Sequence, residues 1–368
     1  MIWNNKRVLL TGHTGFKGSW LSLWLQEKGA DVCGIALAPP AKVNLFQDAE
    51  VGRGMRSVIG DIRDIDLLRR TFGEHRPEIV FHLAAQPLVR DSYADPIRTY
   101  STNVMGTANV LEAARHSPGL RAVVVITTDK CYENSGSELP YRESDRLGGF
   151  DPYSNSKACA ELVVSSYRDS FFNRAEYDRH GVALASVRAG NVIGGGDWAE
   201  DRLVPDVIRA FTGRRPVQIR NPSAIRPWQH VLEPLRGYMA LAESLCEDGP
   251  ENGEAWNFGP EQADALPVEM VVEELAELWG QGAQWEKDTT EQPHEAHCIK
   301  LDWSKAEARL GWRPALPLRE ALAITTAWYR AKLQGQDMGL YTRTQIRDYA
   351  DRSRLAASND TESLGAHA

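Results

Sequence analysis

No apolar run in this chain approaches the ~20 residues that a membrane-spanning helix needs, so no span is expected. Cysteine is scarce. The five in 368 residues, Cys33, Cys131, Cys159, Cys246 and Cys298, form no pairing motif. That excludes a disulfide scaffold and suits a reducing cytoplasm, with most of them buried as apolar fillers. Basic charge is not in excess: 42 Lys and Arg against 50 Asp and Glu leave a net charge of −8. Neither general nucleic-acid binding nor docking to an acidic membrane is favoured. Repeats and long low-complexity stretches are missing. Met1 to Arg7 lead straight into a predicted strand, and no signal peptide is expected. What remains is ordinary globular composition, 42% hydrophobic and 25% charged, enough for one or two domains.

The order of elements is more telling. Lys6–Gly12 reads as a short buried strand, followed by Gly12-His13-Thr14-Gly15-Phe16-Lys17-Gly18. An amphipathic helix is predicted from about Gly18 to Lys28 and a second strand from Ala30 to Leu37. This is a βαβ unit whose glycines let a backbone approach a pyrophosphate at a helix N-terminus. The whole turn is therefore assigned to a dinucleotide. Many NAD sites carry an acid after strand two, for the ribose hydroxyls. Here the strand runs into Ala38-Pro39-Pro40, with no arginine placed for a 2′-phosphate either. NAD is preferred over NADP, though not from this position. His13 and Lys17 bring bulk and charge to the phosphate turn unless both point outward.

The alternation continues. Ser57–Asp61 is a third strand, ending at Asp61-Ile62, with the acid suited to an adenine amino group. Ile79–Gln86 is a fourth, and its end, Leu83-Ala84-Ala85, is small where a cofactor must lie close. Asn103 opens a long helix. Ala122–Thr128 is strand five, and Val182–Arg188 leads to Gly190-Asn191. The fold class is α/β: a Rossmann-type doubly wound parallel sheet with a smaller C-terminal substrate-binding α/β domain. The expected division is 1–188 for the cofactor, 189–350 for the substrate, with elements free to interleave, and 351–368 as a flexible tail.

Chemistry gathers at the end of strand five. Thr127-Thr128-Asp129-Lys130 stands where open α/β sheets bind ligands, and Tyr153-x-x-x-Lys157 follows. A phenol titrates near ~10 in water. Residues four apart share a helix face, so the Lys157 ammonium and a nicotinamide cation would favour a Tyr153 phenolate as base. Alone, such a pair is usually a surface helix contact; its setting marks it here. Farther on, residues 202–236 hold seven arginines (202, 209, 214, 215, 220, 226, 236) and two acids (206 and 233). A diphosphate suits such an island. His294 and His297 are three apart rather than four, so they are taken as structural loop and no metal is expected. Trp228, Trp256 and Trp312 are taken as core.

With these motifs in order, residues from about Lys6 to Tyr329 resemble the extended short-chain dehydrogenase/reductases that act on nucleotide sugars. The motifs include Gly60-Asp61-Ile62, His82-Leu83-Ala84-Ala85-Gln86, Asn191, and Leu301-Asp302-Trp303 with Leu310-Gly311-Trp312. Thr128-Asp129 is similar to the 4,6-dehydratases of that family. dTDP-glucose dehydratases have Thr-Asp-Glu, whereas Lys130 stands here. The glycine turn, Thr-Asp-Lys, Gly194-Gly195-Gly196-Asp197-Trp198 and Ile225-Arg226-Pro227-Trp228-Gln229-His230-Val231 resemble the branch acting on CDP-glucose. The resemblance implies NAD as cofactor, CDP-glucose as substrate, Asp129 as acid, Lys130 as a neutral-amine base and Thr128 as a holder of the sugar's 4-oxygen. It also implies Gln86 and Asn191 near the sugar, and Arg226, with Arg202 second, on the diphosphate. A homodimer through a four-helix bundle, with a tetramer as alternative, and a route toward the 3,6-dideoxyhexoses of surface polysaccharide belong to the same resemblance.

Overall fold

The computed structural model describes residues 2–39, 42–134, 136, 139–280, 282–290 and 298–365, with side chains as far as Leu355. Seven parallel strands form its centre: β1 (Arg7–Thr11), β2 (Asp31–Ala36), β3 (Arg56–Ile59), β4 (Ile79–His82), β5 (Ala122–Ile126), β6 (Ala183–Ala189) and, skipping ahead in the chain, β10 (Ala255–Phe258). Their spatial order is β3-β2-β1-β4-β5-β6-β10. The reversal between β1 and β4 is the switch point at which such sheets bind ligands. Helices cover both faces, so β4, β5 and β6 are buried throughout and read as apolar runs rather than alternations. Within β1, Val8 and Leu10 join one core and Leu9 the other, as a two-residue period requires.

β10 lies far along the chain yet pairs with β6, setting Trp256 beside Val187. The main sheet therefore draws on both halves of the sequence. Two small sheets complete the second half. One holds β7 (Asn191–Ile193), β9 (Ile225–His230) and β11 (Ala265–Pro267); the other pairs β8 (Val217–Ile219) with β12 (Trp285–Lys287).

Three predicted helical features differ in detail. The first helix is Phe16–Glu27 and starts inside the glycine turn, with Gly15 at its N-cap. Asn103 does not open a helix. It lies in a wide π-type turn, Ser101–Met105, between Pro96–Tyr100 and Gly106–Arg115. The Asn103 amide at that turn donates to Gln86 O (3.0 Å) and Ser156 Oγ (2.8 Å) and accepts from Gln86 N (2.8 Å). Such turns often mark functional positions. Finally, the region expected to be a flexible tail from Asp351 continues the helix Met338–Gly365. Its earlier turns are anchored by buried Ile346 and Tyr349, and Arg352 donates to Ala315 O at 3.0 Å.

Candidate active site

The glycine turn is tight by necessity. Gly12 has φ +82°, and a Cβ there would lie 2.8 Å from Ala84 N. A Cβ on Gly18 would lie 2.1 Å from Gly12 O. Gly15 faces more open space, its nearest such atom being Gly12 O at 3.4 Å. The helix that follows has no side-chain N-cap, which leaves main-chain N–H groups at its start for a pyrophosphate. The turn is tied down by Thr14 Oγ1, which donates to Leu37 O (2.8 Å), and by Thr11 Oγ1, which accepts from Ala84 N (3.1 Å). These residues fit a dinucleotide.

Neither His13 nor Lys17 points outward. His13 is buried beneath the β2–β3 region: its Nε2 meets Ser57 Oγ at 2.7 Å and its ring stands edge-on to Phe46. Gly34 makes the room, since a Cβ there would lie 2.3 Å from the His13 ring. Burial lowers its pKa to about 4, so the ring is neutral and its charge does not reach the turn. Lys17 instead lines the cleft. Burial first, then Arg202 and Lys157, lower its pKa to about 7, against the pull of Asp129 and Asp197.

Other cofactor candidates are less direct. Asp61 is paired with Arg63 at 2.6 Å, which holds its carboxyl below the usual range. The Ile62 side chain is core, packed against Gly106. Leu83, Ala84 and Ala85 follow β4, with Ala84 against Gly12.

A cleft of about 290 Å³ opens at the strand ends, and Thr127, Thr128, Asp129, Lys130, Tyr153, Asn191, Arg202 and Arg226 all line it. Asp129 is buried. Its Oδ1 accepts from Thr128 Oγ1 at 2.9 Å, while Oδ2 is buried with no hydrogen-bond partner among the described residues. Burial raises the carboxyl's pKa, opposed by Lys130, Thr128, Arg226 and Lys17. Tyr153 starts the helix Pro152–Ser170, capped by Asp151. Burial pushes its phenol up to about 12, with Thr128 and Arg202 pulling it down and Asp129 pushing it up. Lys157, one turn on, donates to Ile126 O at 3.0 Å. Burial lowers its pKa to about 8 against the support of Glu161 and Cys131.

Not every predicted substrate residue reaches the cleft. The Gln86 amide is spent on Leu88 O and Thr99 Oγ1, both at 3.0 Å, and its carbonyl on Leu88 N. It shapes the loop that follows rather than the cleft wall. Of the seven arginines, Arg202, Arg220 and Arg226 line the cleft. Arg209 caps Trp198 O, Arg236 packs over Trp312, and Arg214 and Arg215 are exposed. Trp256 and Trp312 are core; Trp228 is buried, donates to Leu266 O and also forms cleft wall. His294 and His297 lie outside the described residues. No metal-ligating cluster, and no helix long and apolar enough to cross a membrane, occurs among the described residues.

Sequence reasoning missed several contributors. Asp197 is buried and pairs with Arg202 at 2.9 Å. Glu161 is one helical turn beyond Lys157 and forms a buried pair with Arg188 at 2.9 Å. Its i+4 spacing from Lys157 was the available signal. Arg90, Arg220 and Asp201 meet at the cleft wall, and no local pattern announces them.

Comparison with known proteins agrees with this geometry. The family model described as GDP-mannose 4,6 dehydratase matches residues 9–325. The CDP-glucose 4,6-dehydratase of Salmonella typhimurium is 56% identical over 348 residues, 95% of this chain and 97% of that protein. The structure of MoeE5 in complex with UDP-glucose and NAD is similar at 26% identity and TM-score 0.73, over 89% of this chain and 99% of that one. DesIV, a dTDP-glucose 4,6-dehydratase from Streptomyces venezuelae with NAD and TYD bound, shares the fold at 24% identity and TM-score 0.73, over 90% and 99%.

Proposed function

Because the chain belongs to the GDP-mannose 4,6-dehydratase family, we propose that it removes water from CDP-glucose to give the 4-keto-6-deoxy sugar. It is an NAD-dependent nucleotide-sugar dehydratase, a carbon–oxygen lyase. When bound, NAD would supply a reversible two-electron store between C4 and C6 of the sugar, so no net NADH would form. The chain's own residues handle the protons. Tyr153 takes the 4-hydroxyl proton, with Lys157 behind it, and Thr128 holds the 4-oxygen. Lys130 removes the C5 proton, which the new ketone has made acidic. Asp129 gives its proton to the departing 6-hydroxyl. Tyr153, Thr128, Asp129 and Lys130 sharing one cleft wall is the observation that carries this reading. An epimerase has no use for the buried Asp129, whose pKa burial raises.

The Gly12–Gly18 turn holds the dinucleotide, and Asn191, Arg202 and Arg226 face the nucleotide sugar. The division at about residue 188 separates mainly cofactor-binding from mainly substrate-binding residues. A homodimer fits apolar Ile97, Met105 and Leu162, which stand 78%, 57% and 59% exposed on the neighbouring helical runs. Free thiols suit the cytoplasm. A role on the way to 3,6-dideoxyhexoses of surface polysaccharide follows if CDP-glucose is the substrate.

The test is turnover of CDP-, dTDP-, UDP- and GDP-glucose with NAD, following 4-keto sugar and NADH together. Keto product from CDP-glucose without net NADH is expected. Product from another nucleotide sugar alone would overturn the substrate, and product from none would overturn the dehydratase.

A further inference from the structure

The cleft walls carry six basic side chains, Lys17, Arg90, Lys130, Arg202, Arg220 and Arg226, against four acidic ones, Asp129, Asp197, Asp201 and Asp206. One of those acids is placed unlike the others. Asp201 Oδ1 lies 3.0 Å from Arg220 Nη1 and 3.6 Å from Arg90 Nη1. Its main-chain carbonyl also accepts from Arg220 Nη2, at 3.4 Å. Arg90 belongs to the short helix Val89–Ala94 that follows β4, in the half of the chain that carries the glycine turn. Arg220 directly follows β8, in the other half. One carboxylate therefore joins guanidiniums from both sides of the cleft. The loop presents it from left-handed backbone, φ +61°, which Asp and Asn adopt more readily than other non-glycine residues.

All three side chains are partly exposed, at 43% for Arg90, 39% for Asp201 and 25% for Arg220. Ion pairs of this kind are weak because water screens them. A diphosphate carries more charge than a carboxylate and offers the arginines more oxygens. It would outcompete Asp201 if the two met at the same place.

We propose that Asp201 is an internal stand-in for the substrate's diphosphate: it holds Arg90 and Arg220 together across the cleft, and a nucleoside diphosphate displaces it and takes both arginines. This rests on the nucleotide-sugar reading above. It adds Arg90 and Arg220 to the substrate contacts and makes Asp201 a competitor that weakens and gates binding.

The experiment is calorimetric titration of the full chain with CDP, CDP-glucose and cytidine, for the parent, Asp201→Asn, Arg220→Gln, Arg90→Gln and the double variant Asp201→Asn/Arg220→Gln. Asparagine tolerates left-handed backbone, so Asp201→Asn keeps the loop and removes only the charge. Asp201→Asn is expected to tighten CDP and CDP-glucose by about 1.5- to fivefold, the range a weak exposed ion pair provides, and to leave cytidine unchanged. Each arginine variant is expected to weaken both diphosphates, and the double variant to lose the Asp201→Asn gain. Unchanged or weaker diphosphate binding by Asp201→Asn would overturn the stand-in while leaving the nucleotide-sugar reading intact. A parent chain that binds none of the nucleotides would overturn both.

Discussion

Replacing Glu161 with glutamine tests how Lys157 is supported. Glu161 is 4% exposed and accepts four hydrogen bonds: from Arg188 Nε at 3.1 Å, Arg188 Nη2 at 2.9 Å, Ser186 Oγ at 2.7 Å and Thr127 Oγ1 at 2.5 Å. Burial alone would raise its pKa, but Arg188 and these bonds outweigh burial and hold it below the usual range. Glutamine keeps the shape and removes the charge, stranding a guanidinium in the core. Breaking one side of such a buried pair costs about 3–5 kcal/mol, and the retained amide places Glu161→Gln near the low end. Urea denaturation of the two proteins measures it. The second readout is the pH dependence of kcat. Lys157 is cationic below about pH 8 and neutral above it, and Glu161 is the larger of the two influences that keep it charged. Without that charge the ammonium is lost sooner, so the alkaline limb of kcat moves toward neutral pH. For stability the sign is separate. A lysine whose folded pKa is lowered burdens the fold fully below about pH 8, and the burden lifts as pH rises toward 10.5. A stability loss under about 1 kcal/mol would refute the buried Glu161–Arg188 pair as a stabilising contact, and an alkaline limb that stays put or moves upward would refute Glu161 as the charge behind Lys157.

Asp129→Asn is expected to lower dehydration about 10²–10⁴-fold, the usual range for a lost general acid. C5 exchange with deuterated solvent, read by mass spectrometry, is expected to continue; in Lys130→Ala it is the exchange that stops. Because burial raises the pKa of Asp129, activity that needs its proton persists above the ordinary carboxylate range and falls as pH rises through the raised value, a limb that pH–rate profiles will show missing in Asp129→Asn. Gly18→Ala places a Cβ 2.1 Å from Gly12 O, so the turn must open; NAD affinity by fluorescence titration is expected to fall at least tenfold, the equivalent of about 1.4 kcal/mol.

What the sequence made legible was what is local. The glycine turn, the strand rhythm and the Tyr153–Lys157 spacing depend on neighbours within a few residues, and the structure places all three together. Asp129 and Lys130 were legible because a strand end is a fixed address in this sheet. The cleft's far wall was not. Arg90, Asp201 and Arg220 meet only because β4, the Asp197–Arg202 loop and β8 converge in space, and nothing in any one segment points to the others. Gln86 shows the opposite case: its position follows from the strand, but the use of its amide, which donates to Leu88 O and Thr99 Oγ1, does not. The C-terminal segment reads as polar tail in composition, while the helix Met338–Gly365 runs into it from turns that Arg343 and Arg347 pin to Glu27.

The crowding of cations in the cleft has a measurable consequence. Lys17, with a pKa of about 7, is roughly one-quarter protonated at pH 7.5. Burial is the main reason, and the positive charges of Arg202 and Lys157 add to it. A diphosphate entering the cleft brings the opposite charge and raises the lysine's pKa, so binding draws a proton from solution. Complete protonation would take up about three-quarters of a proton per site at pH 7.5 and little at pH 6, where the lysine is already charged. Calorimetric titration of CDP in two buffers of different ionisation enthalpy gives that number directly, and Lys17→Met is expected to abolish the uptake. Uptake that does not change with pH, or that survives in Lys17→Met, would mean that Lys17 does not titrate near neutrality and that the protons belong to another group.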